Sequence, residues 1–166
     1  AYRSLSMQFQ NRSVDKVYHA IVEGQHQFSD ETIGLPLQQG RRGHVRVSHA
    51  LGKHSETMVN TIEQFKLHTL IQCKPTTGRS HQIRVHLSTL NAPIVGDLSY
   101  GGHELFLSNI KRHYNLRKDT IEQPLMARPA LHSQSLRFQI SQNKSEIFQA
   151  EYPKDFKVTL KQLDKY

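Results

Sequence analysis

At 166 residues the chain is long enough to bury one proper core, and no second domain is needed to account for it. It carries 22 lysines and arginines against 14 acidic residues, a formal charge of +8 with its 11 histidines neutral, which favours a polyanionic partner: nucleic acid or an anionic membrane. No apolar run approaches bilayer length, and the lone cysteine, Cys73, cannot close an internal disulfide, so a membrane-spanning protein and an oxidised scaffold are both disfavoured. The expectation is a cytoplasmic protein without a signal peptide.

Taken in chain order, Tyr2, Leu5 and Phe9 repeat at helical spacing from the first residues. A helix that opens with the chain, uncapped, looks cut from something longer. After a turn at 11–13, residues 14–24 read as a strand, with Tyr18, Ala20 and Val22 on one face, Val17, His19 and Ile21 on the other, and Gly24 ending it. Residues 25–43 read as loop, since Gly34, Pro36, Gly40 and Gly43 break every period, and Arg41 and Arg42 form a basic tip. Two strands are expected over 56–65 and 66–75 as an antiparallel pair, with Cys73 a buried strand thiol.

The stretch TGRSHQIRVHL, Thr77 to Leu87, is the most informative. It alternates like a strand, yet Ile83, Leu87 and Leu90 stand at i, i+4 and i+7, and Ser88-Thr89 break the alternation; the helix is favoured, with Gly78 and Ser80 where an N-terminus and its cap belong. Arg84 then lies near the lining of a cleft above the sheet. A guanidinium on an otherwise apolar element stays charged and must find an anion or carbonyls. Beyond it, Gly96 to Gly102 form a tight turn, and 103–128 read as a polar insertion with a second basic cluster at Lys111, Arg112, Arg117 and Lys118. A strand at 131–140, a hairpin partner from 147 and a closing helix over 155–163 complete one α+β domain spanning 1–166, with a mostly antiparallel or mixed sheet and flanking helices.

Several constellations have a bland reading. His81 and His86, like His44, His49 and His54, stand five residues apart, a spacing that suits neither helix nor strand ligation, so no metal is expected. Ser80 beside His81 lacks a GxSxG elbow and reads as a cap or turn hydroxyl. Tyr18, on the same strand face as Lys16, reads as half-buried packing on composition alone. An aromatic platform with two arginines in a basic protein nevertheless matches a surface that stacks bases and grips phosphate.

Six segments, in order, resemble the RluA-type RNA pseudouridine synthases: VDKVYHAIVEG, GKHSETMV, TGRSHQIRVHL, PIVGDLSYGG, LHSQSLRF and AEYPKDF. The third and fourth together are highly specific. The resemblance implies a synthase catalytic fold and isomerisation of uridine to pseudouridine in ribosomal or transfer RNA, without metal or organic cofactor. An aspartate attacks the flipped uridine, the glycosidic bond breaks, the base turns and C5 is joined to the ribose, with flipping needed because a stacked base hides the reacting atoms. By carry-over Tyr18 packs on the base and is a candidate for handling the C5 proton, and Arg84 pairs with the catalytic aspartate. Arg79, His81, Gln82 and Lys16 are expected to shape the pocket or hold RNA phosphate, and Arg41 and Arg42 to touch RNA.

The family's aspartate motif, H-R-L-D-x-x-T-S-G, has no counterpart in the chain, and Asp97 belongs to the turn. The chain is therefore expected to be the C-terminal part of a synthase catalytic domain, inactive alone, with Arg84's anion outside it. Ser55 and Ser133 replace the usual alanine and need room and a partner. A non-catalytic RNA-binding module derived from the fold is the alternative, and a generic basic scaffold a third reading, in which Arg84 would be exposed with no pocket nearby.

Overall fold

The computed structural model describes residues 2–11, 13–141 and 144–166, with the side chains of residues 2–4 and 42 excepted. Its elements in order are α1 (Tyr2–Gln10), β1 (Asp15–Glu23), β2 (Glu31–Ile33), β3 (Leu37–Gln39), β4 (Val45–Val47), β5 (Thr57–Gln64), β6 (His68–Pro75), α2 (Gln82–Thr89), α3 (Leu107–Ile110), β7 (Leu131–Ser141), β8 (Lys144–Gln149) and α4 (Lys154–Lys165). Six strands form one sheet in the order β2-β5-β6-β1-β7-β8, and every pairing is antiparallel. The fold is therefore α+β with a mainly antiparallel sheet. Among the described residues no helix is long and apolar enough to cross a membrane.

Strand β1 organises both layers because its side chains alternate. Tyr18 projects to the side of α2, where Ile83 and Leu87 join Ala20, Val22 and Ile71 in the core. His19 projects to the side of α4, where it hydrogen-bonds Tyr152, which stacks on Phe156. Cys73 is fully buried in β6, and that burial pushes its thiol far up, so it packs as a small hydrophobe.

The loop reading of 25–43 needs correction, as does the silence over 45–47. Strand β2 extends the sheet on β5, and β3 pairs with β4 around a 3-10 turn at Arg41–Gly43. Three-residue strands are too short to show alternation, so no period marks them. The hairpin docks on α2 through Leu37 and Val45, packed with Val85 and Tyr100. The expected cap of α2 is also different: His81 stands at the N-cap with φ 52° and makes no side-chain cap, while Ser80 is exposed. The insertion at 103–128 is largely irregular, with one short helix, but it buries Leu105 and Met126.

The turn after α2 is stitched to β1. Glu23 N–H donates to the Pro93 carbonyl at 3.0 Å and Val95 N–H to the Ile21 carbonyl at 3.0 Å, which fixes where Asp97 stands. At the end of that turn a Cβ on Gly102 would lie 1.9 Å from the Ile94 carbonyl oxygen, a collision with backbone that no rotamer relieves. Gly102→Ala is accordingly expected to cost about 2 kcal/mol or more. Urea unfolding checks this, and an unchanged midpoint would show that the turn can open at no cost.

Candidate active site

The approach to α2 is held by one buried amide. Gln82 Oε1 accepts from the Thr77 hydroxyl at 2.7 Å and from Arg79 N–H at 3.0 Å, while Nε2 donates to the Glu56 carbonyl at 2.8 Å and to Thr57 Oγ1 at 2.9 Å. Both lone pairs and both hydrogens are used. Of the two roles expected for Gln82, shaping the wall is the one its amide leaves open; nothing remains to hold phosphate.

Arg84 has its anion within the chain. Its Nε and Nη2 reach the two carboxylate oxygens of Asp97 at 2.7 and 2.6 Å, a bidentate pair, and its guanidinium lies 4.7 Å from the centre of the Tyr100 ring. Asp97 is 1% exposed and the Arg84 side chain 20%. The hydrogen bond to Asp97 raises the guanidinium's already high pKa, so Arg84 stays charged. This corrects the expectation that no carboxylate of the chain would serve Arg84. Asp97 and Tyr100 are the residues to which sequence reasoning gave no site role, and their signal was the PIVGDLSYGG segment, taken for its family resemblance and as a turn with no partner assigned to Asp97.

Tyr18, Lys16, Arg79, His81, Gln82 and Arg84 line one cleft of about 280 Å3 between β1 and the start of α2. Tyr18 is half-buried there, next to a bulge that shifts the β1–β7 register between Val17 and Tyr18. Bulges re-aim side chains beside functional sites, and this one sits at the aromatic residue of the cleft. Lys16 Nζ donates to the Thr77 carbonyl at 3.4 Å and Arg79 Nε to the His54 carbonyl at 3.2 Å. Among the described residues that line the cleft there is no carboxylate. A larger hollow of about 370 Å3 opens at the start of β1, beside Asp15, Lys74 and Arg137, but it has neither Tyr18 nor any α2 side chain.

Not every expected residue reaches the cleft. Arg41 is exposed on the turn between β3 and β4 and does not line it, and the side chain of Arg42 lies outside the described residues. Ser55, where alanine was expected, is buried and satisfied: its hydroxyl donates to the Leu35 carbonyl at 2.5 Å and lies 3.2 Å from His86 Nε2. Ser133 is exposed. Among the described residues no three His, Cys, Asp or Glu side chains converge as a metal site would require.

With this geometry in hand, comparison with known proteins is informative. A family model described as RNA pseudouridylate synthase matches residues 1–89, more than half of the chain, including Tyr18 and Arg84. An uncharacterized RNA pseudouridine synthase of Chlorobaculum parvum is 34% identical over 169 residues, covering 98% of this chain and 51% of that protein. The ribosomal large subunit pseudouridine synthase D of Neisseria meningitidis is 34% identical over 163 residues, covering 93% of this chain and 40% of its own length. The chain thus spans about half or less of these curated relatives. Among solved structures, human RNA pseudouridylate synthase domain containing 1 superposes with a TM-score of 0.66 at 26% identity, covering 91% of this chain and 60% of its own. Lys16, Tyr18, Arg79, His81, Gln82 and Arg84 all fall inside the matched residues, and the chain belongs to the RNA pseudouridylate synthase family.

Proposed function

We propose that residues 1–166 form the C-terminal part of the catalytic domain of an enzyme that isomerises uridine to pseudouridine in ribosomal or transfer RNA, and that they supply its base-binding wall. The observation that carries this reading is the cleft itself. It has a half-buried tyrosine, three cationic side chains and no carboxylate among its described lining residues. A flipped uridine fits such a place: Tyr18 packs on the base and is placed for the C5 proton, while Lys16 and Arg79 suit the flanking phosphates. Arg41, exposed on the hairpin turn, extends the basic surface outward.

The nucleophile on this reading is an aspartate from a segment that precedes these residues in the parent protein. Asp97 cannot take that role, because it is buried, does not line the cleft, and has both oxygens bound by Arg84. Arg84 keeps Nη1, which makes no hydrogen bond among the described residues, for a second carboxylate. This reading needs no metal or organic cofactor, and the relatives named as ribosomal large subunit pseudouridine synthases favour ribosomal RNA as the substrate.

The experiment is release of tritium from RNA labelled at uridine C5, by the parent protein and by residues 1–166 alone. The parent is expected to release it and the 166 residues are not. Release by the short chain would place the nucleophile within it. A parent protein with no aspartate-bearing segment and no release would favour the other reading, an RNA-binding module that keeps the groove without the chemistry.

A further inference from the structure

Three contacts converge on Tyr100, which is 9% exposed and stands behind the cleft wall. Its ring carries the Arg84 guanidinium. Its hydroxyl oxygen accepts a hydrogen bond from Val45 N–H at 3.0 Å, which ties it to the β3–β4 hairpin, and lies 2.7 Å from His81 Nδ1.

The last contact fixes a tautomer. A phenol has one hydrogen to give, and His81 Nδ1 is the acceptor within its reach among the described residues. Were Nδ1 protonated, that hydrogen would lose its acceptor among the described residues in a part-buried place, at a cost of about 0.5–1.5 kcal/mol. The hydroxyl therefore donates to Nδ1, and the imidazole carries its hydrogen on Nε2. Burial and then the Arg84 charge hold the His81 pKa below its ordinary value, with His44 acting in the same direction and Asp97 opposing, so the ring is neutral at physiological pH. His81 lines the cleft, and its Nε2 has no partner among the described residues.

We propose that Tyr100 is a positioning residue which locks His81 as the Nε2–H tautomer, so that the histidine offers a neutral hydrogen-bond donor to a carbonyl oxygen of the uracil in the cleft. A neutral donor suits a carbonyl, whereas a phosphate would be served by the charged Lys16 and Arg79 on the same wall. The left-handed backbone of His81, φ 52°, holds the ring at the mouth of α2 where no helical residue could place it. The carbonyl assignment rests on the uridine-isomerase reading; the tautomer does not.

Long-range nitrogen–proton correlation spectra of the 166-residue chain test the tautomer. At pH 7, His81 is expected to show a protonated Nε2 and an unprotonated Nδ1, and in Tyr100→Phe the two nitrogens should move toward averaged shifts while the titration midpoint rises. In the parent enzyme the same substitution, which keeps the ring over Arg84, is expected to lower kcat about ten-fold with RNA affinity unchanged. His81→Gln, which retains a terminal amide donor, should recover more activity than His81→Leu. A protonated Nδ1 in the wild type, or wild-type kcat in Tyr100→Phe, overturns the inference. Absence of isomerisation by the wild-type parent would instead overturn the functional reading.

Discussion

Arg84→Ala is expected to abolish uridine isomerisation in the parent enzyme and to lower the unfolding free energy of the 166-residue chain by about 3 kcal/mol. Both effects arise from one ion pair. Asp97 is 1% exposed, and alanine at position 84 removes both side-chain donors that its carboxylate has among the described residues. Loss of activity in this variant alone would not separate a catalytic role from a folding defect.

The separation comes from replacing the pair together. Arg84→Met with Asp97→Leu removes two charges and fills similar volume, and such swaps of buried pairs are often neutral or stabilising. The double variant is expected to unfold near the wild-type midpoint, to keep most of its RNA affinity through Lys16 and Arg79, and to release no tritium. Wild-type turnover in either variant would end the assignment of Arg84 to the chemistry. An unchanged stability in Arg84→Ala would mean that solvent reaches Asp97 at no cost.

The arrangement around Arg84 shows what a sequence can and cannot convey. The helix over 82–89 was legible because Ile83, Leu87 and Leu90 keep its period, the strands β1, β6 and β7 because their residue types alternate, and β5 because it is rich in β-branched residues. That Arg84 needed an anion was also legible from burial energetics. Which anion was not, because the Asp97 position depends on the hydrogen bonds that stitch the turn to Ile21 and Glu23, and no local pattern encodes them. The cleft residues were gathered by family resemblance, and the geometry then divides them: Gln82 is consumed by the wall, Arg41 stands away, and Tyr18, His81 and Arg84 share the lining.

His86 belongs to the same lesson, since its sequence spacing raised only the question of a metal, while its environment gives it a structural task with a pH signature. It is fully buried, with Nε2 3.1 Å from the Leu35 carbonyl, which can only accept, and Nδ1 3.0 Å from Thr57 Oγ1. Nε2 therefore carries the hydrogen and Nδ1 accepts from Thr57, whose oxygen in turn accepts from Gln82. The chain of donors runs from the wall of the cleft to the loop before β3, and His86→Ala is expected to cost about 3 kcal/mol at pH 7.5 by breaking it and leaving a cavity. Burial lowers the pKa of His86, as it does for His68 and His19, below the ordinary imidazole value of 6.5. The unfolded chain then binds more protons than the folded one as pH falls through 6.5, so stability is fully present above that value and declines below it, by up to about 1.4 kcal/mol per pH unit for each such group. His86→Gln, which can donate to Leu35 and accept from Thr57 without titrating, should retain much of the stability at pH 7.5 and show a shallower decline between pH 6.5 and 5 in urea unfolding. A decline as steep as the wild type's would mean that His86 takes up its proton inside the fold, and that the donor chain from Gln82 can reverse.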